Sequence, residues 1–297
     1  MKVKKLKNKG QRRISAIGWM FISVTIVTFL IFILYPVINS FFLSFHSVKG
    51  IVQKFNGINN YKRMFQDVLF YKALGNTFIY LIIQVPIMLT LGMFLATLLN
   101  SKKLRFKTFF RTAIFLPCVT SLVAYSVLFK MIFAPNGIIN HLLTSLKIIG
   151  APIEWLSDPT LAKVVIILAL LWRWTGYNMI FYLAALQNVP AETYEAAEID
   201  GASGVQQFFH ITIPQLKPII LFTTIMSTIG TLQIFDEPMN LTRGGPGNAT
   251  LSISQYIYNQ SFVFAPNFGY AATLSYVVVF IVAILAIIQI KMAGEDS

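Results

Sequence analysis

The sequence predicts an all-α integral membrane fold with six transmembrane helices. Three observations carry that expectation. The 297 residues are 56% apolar and 12% charged, whereas a soluble globular domain is about a quarter charged. The mean hydropathy is +0.68. Uncharged apolar stretches recur along the chain, and about 20 such residues cross a bilayer as a helix.

The first stretch, 14–48, holds no Lys, Arg, Asp or Glu, and its apolar core runs 17–43. Further spans are expected at 74–99, 112–133, 163–186, 218–235 and 268–290. The third and fifth are short, and the fourth contains Arg173. Pro36, Pro86 and Pro117 fall inside spans or near their ends. A bilayer helix tolerates proline because neighbouring helices and local adjustments satisfy the freed backbone groups. The first run far exceeds the roughly 7–15-residue core of a cleavable signal and ends at no small-residue cleavage site. The domain plan is therefore a basic tail at 1–13, one six-span domain at 14–290 and a short tail at 291–297.

The net charge of +13 suits nucleic acid or an anionic membrane. The basic residues sit beside apolar runs with no aromatic-interleaved basic face, which argues against nucleic acid. Seven Lys or Arg and no acid occupy 1–13, and five more lie at 100–111. By the positive-inside rule both segments, the 190–214 connection and the C-terminus face the cytoplasm. Lys49, Lys54, Lys62, Arg63 and Lys72 pull the other way, on the first external loop. His46, His141, His210 and the single Cys118 are scattered, so no metal site is expected. No Ser/His/Asp or paired-carboxylate arrangement marks a span, so no catalytic residue is expected.

The connection at 190–214 breaks the apolar pattern. Pro190 suits a helix start, Glu192 and Glu195 favour its dipole, and Gly201 can take the left-handed conformation that ends a helix. Ser203 with Gln206 is a capping-box pair opening a second short helix, which Pro214 is expected to stop before Pro218 opens the fifth span. Ala196 and Ala197 let another surface approach the backbone closely, while Glu195, Glu198 and Asp200 offer carboxylates to a basic partner. An amphipathic connector lying on lipid is the other reading, although such helices normally carry Lys and Arg.

Glu195-Ala196-Ala197, three residues, Gly201, nine residues and Ile211-Thr212-Ile213-Pro214 resemble the EAA signature of permease subunits of binding-protein-dependent ABC importers. Ile213 departs from the commoner leucine. Residues 170–190 and 231–250 resemble the carbohydrate branch, and within it the maltose-permease-like first subunit. The resemblance implies a type I importer fold in which 190–214 is the coupling helix, seated in a cytoplasmic ATPase subunit. It makes Glu195, Ala196, Ala197, Glu198, Asp200, Gly201, Ile211 and Pro214 the coupling residues. It further implies a heterodimeric second permease, two ATPase subunits holding ATP and Mg, an extracellular solute-binding protein, a sugar substrate and a bacterial cell membrane. No GxxxxGK[ST] phosphate loop occurs in this chain, so no cofactor is expected in it.

For a substrate path the candidates are Trp172, Arg173, Trp174, Tyr177 and Asn178, with Gln233 and Asp236 at the end of the fifth span. Aromatic faces and amide or guanidinium donors are what a sugar needs. Arg173 has a second reading, snorkelling to an interface or pairing with Asp236 or Glu237. The 237–267 connection, with its Gly244–Gly247 turn, is expected outside, within reach of the binding protein. The competing function is an ion-gradient-driven transporter or channel, which would want acids buried in its spans.

Overall fold

The computed structural model describes residues 9–49, 52–101 and 104–294. Residues 1–8 of the basic tail, Lys102, Lys103 and 295–297 lie outside them. Among the described residues, five continuous helices are long and apolar enough to cross a membrane: Gly18–Ser44, Val68–Asn100, Pro159–Leu186, Gly204–Leu232 and Phe268–Met292. A bent pair, Lys107–Val119 and Leu122–Ile132, takes the place of the third span. Counted so, the described helices match the six expected spans in order.

Local chemistry explains the helix starts. Asp67 accepts from the Leu69 and Phe70 N–H groups at 2.9 and 3.3 Å. Asp158 accepts from Thr160 and Leu161, both at 2.8 Å, with Pro159 as the first helical residue. Each aspartate satisfies donors that the first turn leaves orphaned.

Two expectations need correction. The third span is no single helix, because its halves meet at 100°. Thr120 and Ser121 are extended at the break, and the Thr120 carbonyl accepts from Arg173 Nη1 at 3.0 Å instead of from a helical N–H. A buried cation from the fourth span thus satisfies the group that the broken ladder frees. The second correction concerns Pro214, which does not end a helix. Gly204–Leu232 runs through it as one span. A π turn at Phe208–Thr212 precedes it, and Pro214 sits in the first turn of Ile213–Leu232. The wider turn shifts the bonding pattern where the proline ring would clash and its missing N–H would count. The first span repeats the device, with a π turn at Leu30–Leu34 just before Pro36.

The chain divides into two compact units. One takes the described residues up to Phe65 together with Gln260–Tyr276. It contains the described β structure, a hairpin pairing His46–Lys49 with Val52–Phe55, which the all-α expectation lacked. Asn60 is its polar hub, donating to the Ser44 and His46 carbonyls at 2.8 and 2.9 Å. Arg63 lies 4.0 Å over the Tyr270 ring. The apolar window of Gly18–Ser44 is wholly exposed, as suits a face meeting hydrocarbon or another chain.

The other unit holds Gln66–Asn259 and the described residues from Val277. Its two apolar clusters centre on the second and fourth spans, one around Tyr80, Val165 and Leu170, the other around Met88, Met179 and Leu186. Glycines set the spacing. A Cβ on Gly92 would stand 3.2 Å from the Met179 nitrogen, and one on Gly176 would run into the Ile114 carbonyl. Between the third and fourth spans, buried Asn140 donates to the Ala134, Pro135 and Ile153 carbonyls. Its oxygen accepts from the Ile153 N–H at 3.1 Å and the Trp155 indole at 3.0 Å. Asn140→Ala strands several of these groups at about 1–3 kcal/mol each, and a melt of the solubilised protein by intrinsic fluorescence should fall by several degrees.

Candidate functional site

One face of the fourth span differs chemically from the rest. Leu170, Arg173, Trp174, Tyr177 and Asn178 recur at the spacing that places residues on one side of a helix. All five line a cavity of about 440 Å³. The second span contributes Gln84 and Met88, the fifth Met226, Ser227, Gly230 and Thr231, and the segment 233–237 closes one side.

Six of the seven expected substrate-path residues border this cavity: Arg173, Trp174, Tyr177, Asn178, Gln233 and Asp236. Trp172 does not. It lies off the stripe and packs on Tyr125 and Phe129, at ring separations of 6.1 and 5.6 Å, with 40% of its surface exposed. Gln84, Ser227, Thr231 and Glu237 line the cavity without having been singled out as path residues. The available signal was an amide or hydroxyl inside an apolar span, a group that needs a partner there.

Arg173 is buried among its neighbours. It is 7% exposed, donates to Thr120, and holds its guanidinium 4.9 Å over the Tyr125 ring and 5.4 Å over its neighbour Trp174. Its Nε is buried without a partner. Gln84 is similarly poised. Its oxygen accepts from Thr231 at 3.2 Å, but its amide nitrogen faces only the Met88 sulfur at 3.0 Å, a weak acceptor. Trp174 and Tyr177 stand edge to face at 5.8 Å. The cavity thus combines aromatic faces with buried donors whose bonding is incomplete, an arrangement that receives a polyhydroxylated ligand well.

The connection between the fourth and fifth spans forms a compact corner. The first helix, Ala191–Ile199, has Pro190 as its N-cap and Glu192 in its first turn. Gly201 takes φ +78°. The Ala202 N–H reaches the Ala197 carbonyl at 2.9 Å and the Gly201 N–H the Glu198 carbonyl at 3.1 Å, the paired bonds of a Schellman ending. Both arms of the Ser203–Gln206 capping box are present. Glu195, Ala196, Glu198, Asp200 and Gly201 are exposed, Ala197 and Ile211 partly so, and Pro214 lies exposed one turn farther on. Asp200, Gly201 and Ile211 edge a shallow hollow of about 320 Å³ with Ala202, Gln206, Gln207 and His210. Ile199, next to Asp200 in sequence, is 87% exposed.

Corner and cavity share their two supporting helices. Tyr194 and Thr212 bond at 3.1 Å across the corner, and buried Tyr182 and Thr223 bond at 2.7 Å between the fourth and fifth spans.

Known proteins agree with this architecture. The family described as binding-protein-dependent transport system inner membrane component matches residues 88–291. The lactose transport system permease protein LacF of Rhizobium radiobacter is 54% identical over 280 residues, covering 94% of each chain. The arabinooligosaccharides transport system permease protein AraP of Halalkalibacterium halodurans is 35% identical, covering 94% of this chain and 88% of its own. A solved bacterial ABC transporter involved in the import of the acidic polysaccharide alginate shares the fold, with a TM-score of 0.83 at 22% identity over 97% of this chain and 99% of that one. The chain belongs to the family of inner membrane components of binding-protein-dependent transport systems, the multi-span permeases of ABC importers.

Proposed function

We propose that this chain is one permease of a heterodimeric, ATP-driven importer that moves a sugar, of oligosaccharide size, across a bacterial cell membrane. Both termini and the 190–214 corner face the cytoplasm. One of two ATPase subunits grips the corner through Glu195, Glu198 and Asp200, with Ala196, Ala197, Gly201, Ile211 and Pro214 shaping the contact. An extracellular binding protein delivers the sugar, and the 440 Å³ cavity is this chain's part of its path. When the ATPases close on ATP, the corner moves as a rigid body and the fourth and fifth spans tilt with it, so the cavity opens alternately to either side.

The observation that carries the reading is the shared support. The two helices that end in the acidic corner are the two that bear most of the cavity's polar lining. The names of the similar permeases, for lactose and arabinooligosaccharides, support a sugar. The six spans contain no Asp or Glu, so a proton or sodium relay through them lacks its usual carriers.

Reconstitution into proteoliposomes with the partner permease, the ATPases and the binding protein tests the proposal. Sugar-loaded binding protein is expected to raise ATP hydrolysis severalfold over empty binding protein, and uptake is expected to require ATP inside. Uptake driven by an ion gradient with the ATPases omitted overturns it.

A further inference from the structure

The charge lining the cavity carries one step more, resting on the reading of that cavity as a glycan site. Arg173 is the sole cation among its lining residues, against Asp236 and Glu237. Arg173 is already engaged by the Thr120 carbonyl and two aromatic rings. Glu237 is 4% exposed and sits by the buried hydroxyl of Tyr125. Burial pushes its carboxyl above the usual range, while the neighbouring tyrosine draws it back. With Glu237 protonated the three groups sum to zero, and with it ionised to one negative charge. Neither state leaves a net positive charge to receive an anion. The remaining polar lining, Gln84, Asn178, Ser227, Thr231 and Gln233, is neutral and suited to hydroxyls.

We propose that this cavity selects uncharged glycans and rejects carboxylated ones, with Asp236 and Glu237 as the residues that set the choice. A ligand carboxylate would be brought beside half-buried Asp236 and buried Glu237, and like charges brought together away from water repel strongly. A similar fold serves an importer of the acidic polysaccharide alginate, so the scaffold leaves this choice to the side chains.

The test compares lactose with its galacturonosyl counterpart, in which a carboxylate replaces the 6′ hydroxymethyl group. Equilibrium binding to the assembled permease–ATPase complex in nanodiscs, with the binding protein omitted, isolates the cavity from external selection. The wild type is expected to bind lactose about 100-fold more tightly than the acid, the scale of a like-charge juxtaposition. In Asp236→Asn/Glu237→Gln the gap should close to within about tenfold, with affinity for the acid rising relative to lactose. Asp236→Asn alone, at the less buried position, should close part of it and serves if the double variant does not assemble. Equal binding of both sugars by the wild type, or a gap unchanged in the variants, overturns the proposal. Binding of neither sugar by any form overturns the glycan reading of the cavity itself.

Discussion

Valine in place of Gly201 will leave the chain folded in the membrane and lower uptake at least about tenfold, while asparagine at the same position will keep most of it. Gly201 stands at φ +78°, where a β-branched residue is a true outlier and asparagine is tolerated. An L side chain in this region costs about 1–2 kcal/mol, least for asparagine. A Cβ there meets nothing within 4 Å, so the penalty is backbone strain rather than crowding. The corner is exposed and outside both apolar clusters, so the bundle should assemble normally. What strain removes is the fixed angle between Ala191–Ile199 and the fifth span, which the Schellman bonds and the capping box define. Detergent-extracted yield and melting temperature should match wild type for both variants while uptake separates them. If valine transports as well as asparagine, the corner's angle is not what carries the movement.

The separation between what could be read from the chain and what could not follows the range of the interactions. The corner is local. Pro190, Gly201 and the Ser203–Gln206 pair act within a few residues, and each does what its chemistry dictates. The stripe through Arg173, Trp174, Tyr177 and Asn178 is also local, being helical periodicity, and that periodicity excludes Trp172. Pro214 was misread because the stop rule for proline assumes an α-helical ladder, and the π turn at Phe208–Thr212 changes the ladder. The third span's break lies beyond any window of hydropathy. The donor that stabilises it, Arg173, is 53 residues away from Thr120. Gln84 finds Thr231 across 147 residues, so its place in the cavity could not be read from the second span alone.

The second large effect is expected at Gly176, and it connects stability to the cavity. A Cβ there runs into the Ile114 carbonyl oxygen and comes within 2.8 Å of the Ile114 carbon and 3.1 Å of Phe115 Cα. All three are backbone atoms, which cannot rotate away as a side chain can, so the fourth span must separate from the first arm of the third. Overpacking of this kind costs about 1–3 kcal/mol or more, and Gly176→Ala should lower the melting temperature of the solubilised complex by roughly 5–10 °C. Gly92→Ala, whose nearest contact would be 3.2 Å, should cost less, and Gly75→Ala, with nothing within 4 Å, should be near neutral. Arg173 lies one turn earlier on the same helix and reaches Thr120 only because the two helices are this close. Separating them lengthens that 3.0 Å bond and frees the guanidinium toward the cavity. Gly176→Ala should therefore weaken binding of the sugar proposed for this cavity as well as stability, whereas Asn140→Ala, which loosens the same unit away from the cavity lining, should affect stability alone. Equal ligand affinity in the two variants would separate the helix contact from the site and leave Gly176 a packing residue only.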